Sequence, residues 1–303
     1  MSQIESIYKA REIEEAIDIY FYRPLGYAVA VACRGLRITP NTVTILSIVI
    51  GVAGGHLLYY RDVAVNVWGF MLWVVADVLD STDGQLARMT NQKSRLGRIL
   101  DGLATNLIFL SMYGHLLARM VAGGGSPWLC VLVLASAFSH SVQSAIADYY
   151  RNAYLKFVVD PERSELEGPA DVRAEYEAIS YSEHPIRKFL LRIYLNYTVE
   201  QEIFTKTFQE LQSRVNQQFG HVLPTWFVEE YSRLNKPLMK YYALLVTNTR
   251  VIIMAVCVLI DHVQWYFWAE AFALNAVMLG VTLYQGRLNK GLLHQIDIQA
   301  ANE

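Results

Sequence analysis

Residues 77–101 read DVLDSTDGQLARMTNQKSRLGRILD and continue an apolar run that starts near residue 64. Four carboxylates fall in this stretch, on Asp77, Asp80, Asp83 and Asp101. An ionised aspartate near the middle of a membrane helix costs roughly 2.5–3.5 kcal/mol on insertion scales. Four of them need a compensating charge, and one or two divalent cations would turn the carboxylates into a ligand cage. This stretch therefore predicts an enzyme with a metal site between two membrane helices.

The composition of the whole chain predicts an integral membrane protein. Of its 303 residues 53% are hydrophobic and 18% are charged, with a formal net charge of −2. The apolar residues gather in windows of the length that spans a bilayer, which takes about 20 helical residues. We expect six such transmembrane helices, at about 41–60, 64–87, 99–121, 127–150, 241–261 and 264–286. There is no basic aromatic platform for a nucleic-acid partner, and the three cysteines fit neither a disulfide framework nor a metal-binding spacing.

The polar segments divide the chain. We expect an N-terminal cytoplasmic or interfacial helix (1–38), transmembrane helices one to four (39–150), a cytoplasmic insertion (151–240), helices five and six (241–287) and a tail (288–303). The N-terminal helix fits a membrane surface and a soluble helix packed on cytoplasmic loops equally well. An apolar stripe in the insertion favours internal packing, with a homodimer contact or a membrane contact as alternatives; it comprises Phe204, Phe208, Leu211, Val215 and Phe219.

Lysines and arginines predict the orientation. They concentrate in alternate loops, before the first expected span and after the second, fourth and sixth. Both termini and the aspartate cluster should then face the cytoplasm, and we expect the membrane to be the inner membrane of a bacterium. The first twenty residues are acidic, which is the opposite of a cleavable signal.

The spacing of the aspartates predicts what they bind. Three-residue steps leave Asp77, Asp80 and Asp83 on one broad helix face, and an antiparallel neighbour would place Asp101 near the depth of Asp83. Because no histidine or cysteine joins them, the ligands are hard oxygens, which favour Mg²⁺ or Mn²⁺ over zinc. Arg88, at the membrane surface, suits a diphosphate through bidentate hydrogen bonds. Together these residues indicate a magnesium–diphosphate site.

The same residues resemble the signature of the CDP-alcohol phosphotransferase family, Asp-x2-Asp-Gly-x2-Ala-Arg-x8-Gly-x3-Asp-x3-Asp. The fixed positions matched, with every spacing kept, are Asp80, Asp83, Gly84, Ala87, Arg88, Gly97 and Asp101. The six expected spans and the Pro40-Asn41 entry to the first are also similar to this family, so the likeness covers most of the chain outside 151–240. We expect Asn41 or Thr42 to cap that first helix.

The resemblance implies transfer of a substituted phosphate from a CDP-linked lipid or alcohol to an alcohol acceptor among membrane lipids, with release of CMP. It implies that two ions, Mg²⁺ or Mn²⁺, are bound by Asp80, Asp83 and Asp101. It also implies that the CDP moiety is held by Asn41, Thr42, Val43, Thr44, Gly84, Arg88 and Ser94. The acceptor stays open between glycerol phosphate, inositol phosphate, serine and a lipid hydroxyl.

One position departs from the family signature. Its last aspartate, the presumed general base, falls at Thr105, which is followed by Asn106. A threonine or asparagine side chain accepts no proton usefully at neutral pH. Asp77 could supply the missing carboxylate, or metal and proximity alone could carry a slower reaction. Alternatively, the chain is an impaired relative that binds CDP-lipid and metal as a regulatory or partner protein.

Two arginines outside the signature are candidates for acceptor binding, Arg250 within the fifth expected span and Arg151 at the end of the fourth. An intramembrane charge is a functional candidate by default, although Arg250 could also snorkel to the surface or pair with Asp77. A transporter is a third function class, but its acidic groups should lie near the midplane in broken helices.

Overall fold

A computed structural model of the chain describes residues 13–92, 94–161, 164, 166, 168–220 and 222–302. The first twelve residues of the predicted segment 1–38 lie outside these. Regular structure within the described residues is helical. The α-helices are α1 (Arg23–Gly35), α2 (Pro40–Leu57), α3 (Val63–Met89), α4 (Arg95–Ala122), α5 (Trp128–Tyr154), α6 (Pro169–Ala178), α7 (Pro185–Phe204), α8 (Lys206–Phe219), α9 (Thr225–Asn235), α10 (Met239–Ala243), α11 (Thr247–Leu259), α12 (Val263–Trp268) and α13 (Asn275–Asn302). Wider π-helical turns occupy Asp18–Tyr22, Leu155–Val159 and Ala269–Leu274.

Five helical runs among the described residues are long and apolar enough to cross a membrane. They are Pro40–Leu57, Val63–Met89, Trp128–Val159, Thr225–Leu259 and Val263–Ala301. An all-α integral membrane protein is therefore the class of this fold. Helix α4 has 28 residues, but Asp101, His115 and Arg119 make it less apolar than these five. The sixth span and the insertion at 151–240 stay predictions.

The chain divides into two compact units. The first comprises the residues up to Phe138 together with Val251–Ala271, and the second comprises Ser139–Arg250 and the residues from Phe272 onward. All residues of the predicted signature and Asp77 belong to the first unit, whereas Arg151 and Arg250 belong to the second.

Glycines allow α2 and α3 to touch through their backbones. A Cβ atom on Gly54 would lie 2.7 Å from the carbonyl oxygen of Gly69, and one on Gly69 would lie 2.9 Å from that of Gly54. On α2, a Cβ on Gly51 would also collide with Ile108 of α4 at 2.5 Å. Because lipid tails are as apolar as the side chains, close packing of small residues is what holds membrane helices together.

The reversal between α3 and α4 is a Schellman motif. The N–H of Gln92 donates to the carbonyl of Ala87 at 2.9 Å, and that of Asn91 donates to the carbonyl of Arg88 at 3.4 Å. Asn91 takes the left-handed position with a φ of 53°, a conformation that asparagine tolerates. Ser94 then caps α4, since its Oγ accepts a hydrogen bond from the N–H of Gly97 at 3.0 Å. This short connection sets α3 and α4 antiparallel at the aspartates.

Helix α2 begins at Pro40, and its cap is Thr39. The hydroxyl of Thr39 accepts a hydrogen bond from the N–H of Thr42 at 3.3 Å. The prediction that Asn41 or Thr42 caps this helix is therefore wrong. Because Pro40 fills the first helical position, where its missing N–H costs nothing, the cap has to precede it.

A buried arginine fastens the far ends of the helices in the first unit. Arg119 of α4 is 3% exposed and donates at 2.7 Å to both Asn66 of α3 and Asp261, in the loop after α11. The hydrogen bond from Arg119 lowers the pKa of the Asp261 carboxyl. The carboxylate therefore stays ionised at neutral pH and holds this loop against α4.

In the second unit, the apolar stripe of α8 is a packing face. Phe208, Leu211 and Val215 are fully buried, and the ring of Phe219 packs edge-on against that of Trp226. This burial favours internal packing over a homodimer or membrane contact for the middle of the stripe. Phe204, at 42% exposure, lies outside the buried set.

Replacing Gly54 by alanine should destabilise the protein, because the new methyl group would displace α3. Gly114 on α4 is the matched control, since a Cβ there meets nothing within 4 Å. Gly114→Ala should raise stability by up to about 1 kcal/mol through helix propensity. Thermal unfolding in detergent measures both. Equal melting temperatures for the two variants would contradict the backbone contact between α2 and α3.

Candidate functional site

Three of the four aspartates converge. Asp80 and Asp83 of α3 and Asp101 of α4 each place a carboxylate oxygen so that these oxygens lie within 4.8 Å of one another. Asp83 is buried, Asp80 is half-buried and Asp101 is exposed, so the cluster is open on the side of Asp101. Oxygens bound to one divalent ion at about 2.0–2.6 Å would be separated by distances of this order. The donor set of three carboxylates therefore fits a hard divalent cation.

Helix α2 contributes an orienting contact. The hydroxyl of Thr44 donates a short hydrogen bond to Oδ2 of Asp83, and the backbone N–H of Gly84 also bonds to this carboxylate. Thr44 is itself buried at 4% exposure, so its rotamer is fixed by packing. These contacts hold the Asp83 carboxylate in one orientation relative to its two neighbours.

Arg88 lies one turn beyond Gly84 at the same end of α3. Its Nη1 atom would be 3.6 Å from a Cβ on Gly84, and its guanidinium interacts electrostatically with Asp83. A distance of 3.6 Å is an ordinary contact, so the packing of the protein itself does not require glycine at this position. The bare backbone of Gly84 instead leaves room for a ligand beside the guanidinium and the carboxylates.

The start of α2 and the start of α4 form an exposed polar rim. Asn41, Thr42 and Ser94 are exposed, and a Cβ on Gly97 would lie 3.2 Å from the Ser94 hydroxyl and 3.8 Å from Oδ1 of Asn41. Free N–H groups at helix N-termini favour anions such as phosphate. Val43 differs from the other predicted nucleotide-binding residues, because its side chain is buried in an apolar cluster with Ala30 and Leu86.

Asp77 lies outside the cluster of three. It is half-buried, and its carboxylate accepts a hydrogen bond from the hydroxyl of Tyr22. Burial, followed by the negative charge of Asp77, raises the pKa of Tyr22, so this hydroxyl keeps its proton and donates. The sequence analysis missed Tyr22, because nothing in a tyrosine before α1 marks a long-range contact with α3.

Thr105 lies one turn after Asp101 on α4 and is half-buried. Its neighbour Asn106 donates to the carbonyl of Gly102 in its own helix at 2.9 Å. An aspartate at 105 would point along the same face as Asp101.

The two acceptor candidates lie in the second unit. Arg250 is fully buried and donates at 2.7 Å to Ser144 and to Gln143, so it does not snorkel. Arg151 is half-buried near the end of α5. Acceptor binding by either arginine stays a prediction.

The match to a known family covers this site. Residues 37–160 match the family model of CDP-alcohol phosphatidyltransferase, so this part of the chain is similar to that family. The match implies a transferase of phospholipid synthesis that acts on CDP-linked and alcohol substrates at a membrane. Searches of curated proteins and of solved structures return no significant match.

Arg88→Lys should weaken CDP binding about tenfold or more, because lysine keeps the charge but loses the planar pair of donors. The affinity for Mn²⁺ should change little, since Arg88 is not a metal ligand. Titration calorimetry with CDP and with Mn²⁺ measures both quantities. The control is Arg214→Lys on α8, where the arginine pairs with Asp297 on an exposed surface. Unchanged CDP affinity in Arg88→Lys would refute a diphosphate contact.

Proposed function

We propose that the protein catalyses metal-dependent transfer of a phosphatidyl or other substituted phosphate group from a CDP-linked donor to an alcohol, with release of CMP. The observation that carries this proposal is the convergence of Asp80, Asp83 and Asp101 within 4.8 Å, inside the region that matches the family model. A transporter is disfavoured, because α3 continues unbroken through the aspartates.

The three carboxylates suit Mg²⁺ or Mn²⁺, and we expect two ions. When bound, these ions neutralise the diphosphate and the charge that develops on the departing CMP. Asp80, Asp83 and Asp101 hold them, and Thr44 keeps the Asp83 carboxylate oriented. Without a counter-charge, three carboxylates this close would repel one another strongly.

The surrounding residues position the donor. Arg88 contacts the diphosphate beside the bare backbone of Gly84, while Asn41, Thr42 and Ser94 line the rim where the nucleotide lies. The N-terminal ends of α2 and α4 add partial positive charge at the same place. Holding both substrates in line supplies a large part of the rate in phosphoryl transfer.

The transfer step breaks one bond and forms one. The acceptor oxygen attacks the phosphorus on the lipid or alcohol side of the diphosphate, and the P–O bond to CMP breaks. The hydroxyl proton of the acceptor alcohol also has to be removed. Thr105 cannot take it, and Asp77 lies outside the cluster of three, where its carboxylate accepts a hydrogen bond from the hydroxyl of Tyr22. Metal and proximity with transfer of the proton to solvent therefore fit the geometry better than Asp77 as the base.

The position of Asp77 outside the cluster, bonded to Tyr22, also favours one alternative function. If no group takes the acceptor proton at a useful rate, the protein binds CDP-lipid and metal as a regulatory or partner protein. CMP release by purified protein with Mg²⁺ or Mn²⁺ separates the two functions. The donors are CDP-diacylglycerol and soluble CDP-alcohols, tested against glycerol phosphate, inositol phosphate, serine and lipid hydroxyls. Release above the level of an Asp80→Asn variant supports the transferase, and none with any pair supports the binding protein.

We further propose six transmembrane helices with both termini and the aspartate cluster on the cytoplasmic side of a bacterial inner membrane. The loop charges support this orientation, and α4 would be the sixth span, with its polar side chains facing other helices. Cysteine labelling from either side of sealed vesicles tests it.

Thr105→Asp should raise CMP release several-fold, because it adds a base and a metal ligand one turn beyond Asp101. Thr105→Asn, which has similar size but no charge, is the control and should give no gain. Asp77→Asn should leave the rate within a few-fold of the parent, since Asp77 binds Tyr22. Loss of turnover in Asp77→Asn, with no gain in Thr105→Asp, would instead identify Asp77 as the base.

A further inference from the structure

A pair of histidines lies in the first unit, near the opposite end of α2 from the aspartates. Nδ1 of His56 on α2 is 3.0 Å from Nε2 of His115 on α4. His56 is exposed and His115 is half-buried. Because His56 follows Thr44 by twelve residues on one helix, the pair is about 18 Å along the axis from the carboxylate cluster. It is therefore separate from the site described above.

The surroundings of His115 determine which of its nitrogens carries the proton. Its Nδ1 atom lies 2.8 Å from the carbonyl oxygen of Ser111, which can only accept, so Nδ1 carries the proton and donates. The Ser111 hydroxyl donates to the carbonyl of Val52 at 3.0 Å. It can then accept from the same Nδ1 at 3.3 Å. Nε2 of His115 is left with a lone pair directed at His56.

This arrangement is the one in which proteins present imidazole to a metal ion. A ligating histidine usually donates its other ring N–H to a carbonyl or carboxylate, which fixes the ring and makes the free nitrogen more basic. Two nitrogens that each bind one metal ion at about 2.1 Å, with an angle of about 90° at the ion, are separated by about 3.0 Å. The observed distance between Nδ1 of His56 and Nε2 of His115, 3.0 Å, is that of a hydrogen bond and also matches this separation. A tetrahedral ion would place the nitrogens further apart.

The two helices are held at the distance that the pair needs. A Cβ on Gly55, beside His56, would lie 2.7 Å from the Ser111 hydroxyl and 2.9 Å from the N–H nitrogen of Met112. Only glycine allows α2 to approach α4 this closely. The ring of His56 also packs edge-on against Tyr60 with centroids 5.8 Å apart, which restricts its rotation.

We propose that His56 and His115 form a second metal site, which binds a late transition ion such as Cu²⁺ or Ni²⁺ through two imidazole nitrogens in neighbouring positions. Water occupies the remaining positions on the exposed side of His56. Without the ion, Nδ1 of His56 donates to Nε2 of His115. Binding requires His56 to carry its proton on Nε2 instead. Imidazole nitrogen suits Cu²⁺ and Ni²⁺, as it also suits zinc and iron, whereas the aspartate cluster offers oxygen alone and suits Mg²⁺ or Mn²⁺.

Electron paramagnetic resonance of Cu²⁺ tests this proposal directly, because bound nitrogens split the spectrum and can be counted. Full-length protein without a histidine tag, loaded with one equivalent of Cu²⁺, should show two imidazole nitrogens. His56→Ala and His115→Ala should each lose the two-nitrogen signal and bind Cu²⁺ about tenfold or more weakly. The matched control is His294→Ala on α13, which removes an exposed histidine and should leave the spectrum unchanged.

The spectrum of the parent protein is decisive even where a variant folds poorly. A parent spectrum with oxygen ligands only, or with a single nitrogen, would overturn the proposal. So would a two-nitrogen spectrum that persists in both His56→Ala and His115→Ala. Asp101→Asn separates this site from the proposed transferase site, because it should weaken Mn²⁺ binding and leave the two-nitrogen Cu²⁺ signal intact.

Discussion

Repulsion among three ionised carboxylates is the constraint on which the rest of the first compact unit depends. Asp80, Asp83 and Asp101 place carboxylate oxygens within 4.8 Å of one another at the end of apolar helices, where each ionised group is costly to desolvate and like charges repel. The scaffold that holds them is rigid. Backbone contact at Gly54 and Gly69 fixes α2 on α3, and after the reversal at Asn91 helix α4 packs on α2. A bound cation would offset this repulsion, because its ligands are already assembled before the ion arrives.

Much of the site could be predicted from the sequence, because most of the residues that form it lie close together in the chain. The three-residue spacing of Asp80 and Asp83 and the short link to Asp101 place the carboxylates together whenever both segments are helical. The apolar windows likewise predicted four of the long apolar helical runs and part of the fifth. Thr44 was expected at the site as a nucleotide-binding residue, and its hydroxyl donates to the Asp83 carboxylate; nucleotide binding by Thr44 stays a prediction.

The remainder depends on contacts between residues far apart in the sequence. The bond between Tyr22 and Asp77 and the pair of His56 and His115 both join helices whose register no periodicity fixes. The cap of α2 was misassigned because Pro40 takes the first helical position. The cap therefore lies before Pro40, nearer the N-terminus than expected. The last part of the predicted insertion belongs to the apolar run Thr225–Leu259, which comprises α9, α10 and α11; polar residues at 230–240 hid its apolar character in the sequence.

Binding of Mn²⁺ to the purified protein, followed by the loss of the free-ion resonance signal, tests the central account most directly. The account predicts that Asp80→Asn and Asp101→Asn each weaken Mn²⁺ binding about tenfold or more, since each removes one carboxylate ligand. Asp297→Asn, on an exposed face of α13, should bind as the parent does. Equal Mn²⁺ affinity in the parent, Asp80→Asn and Asp101→Asn would contradict the claim that these aspartates form a metal site.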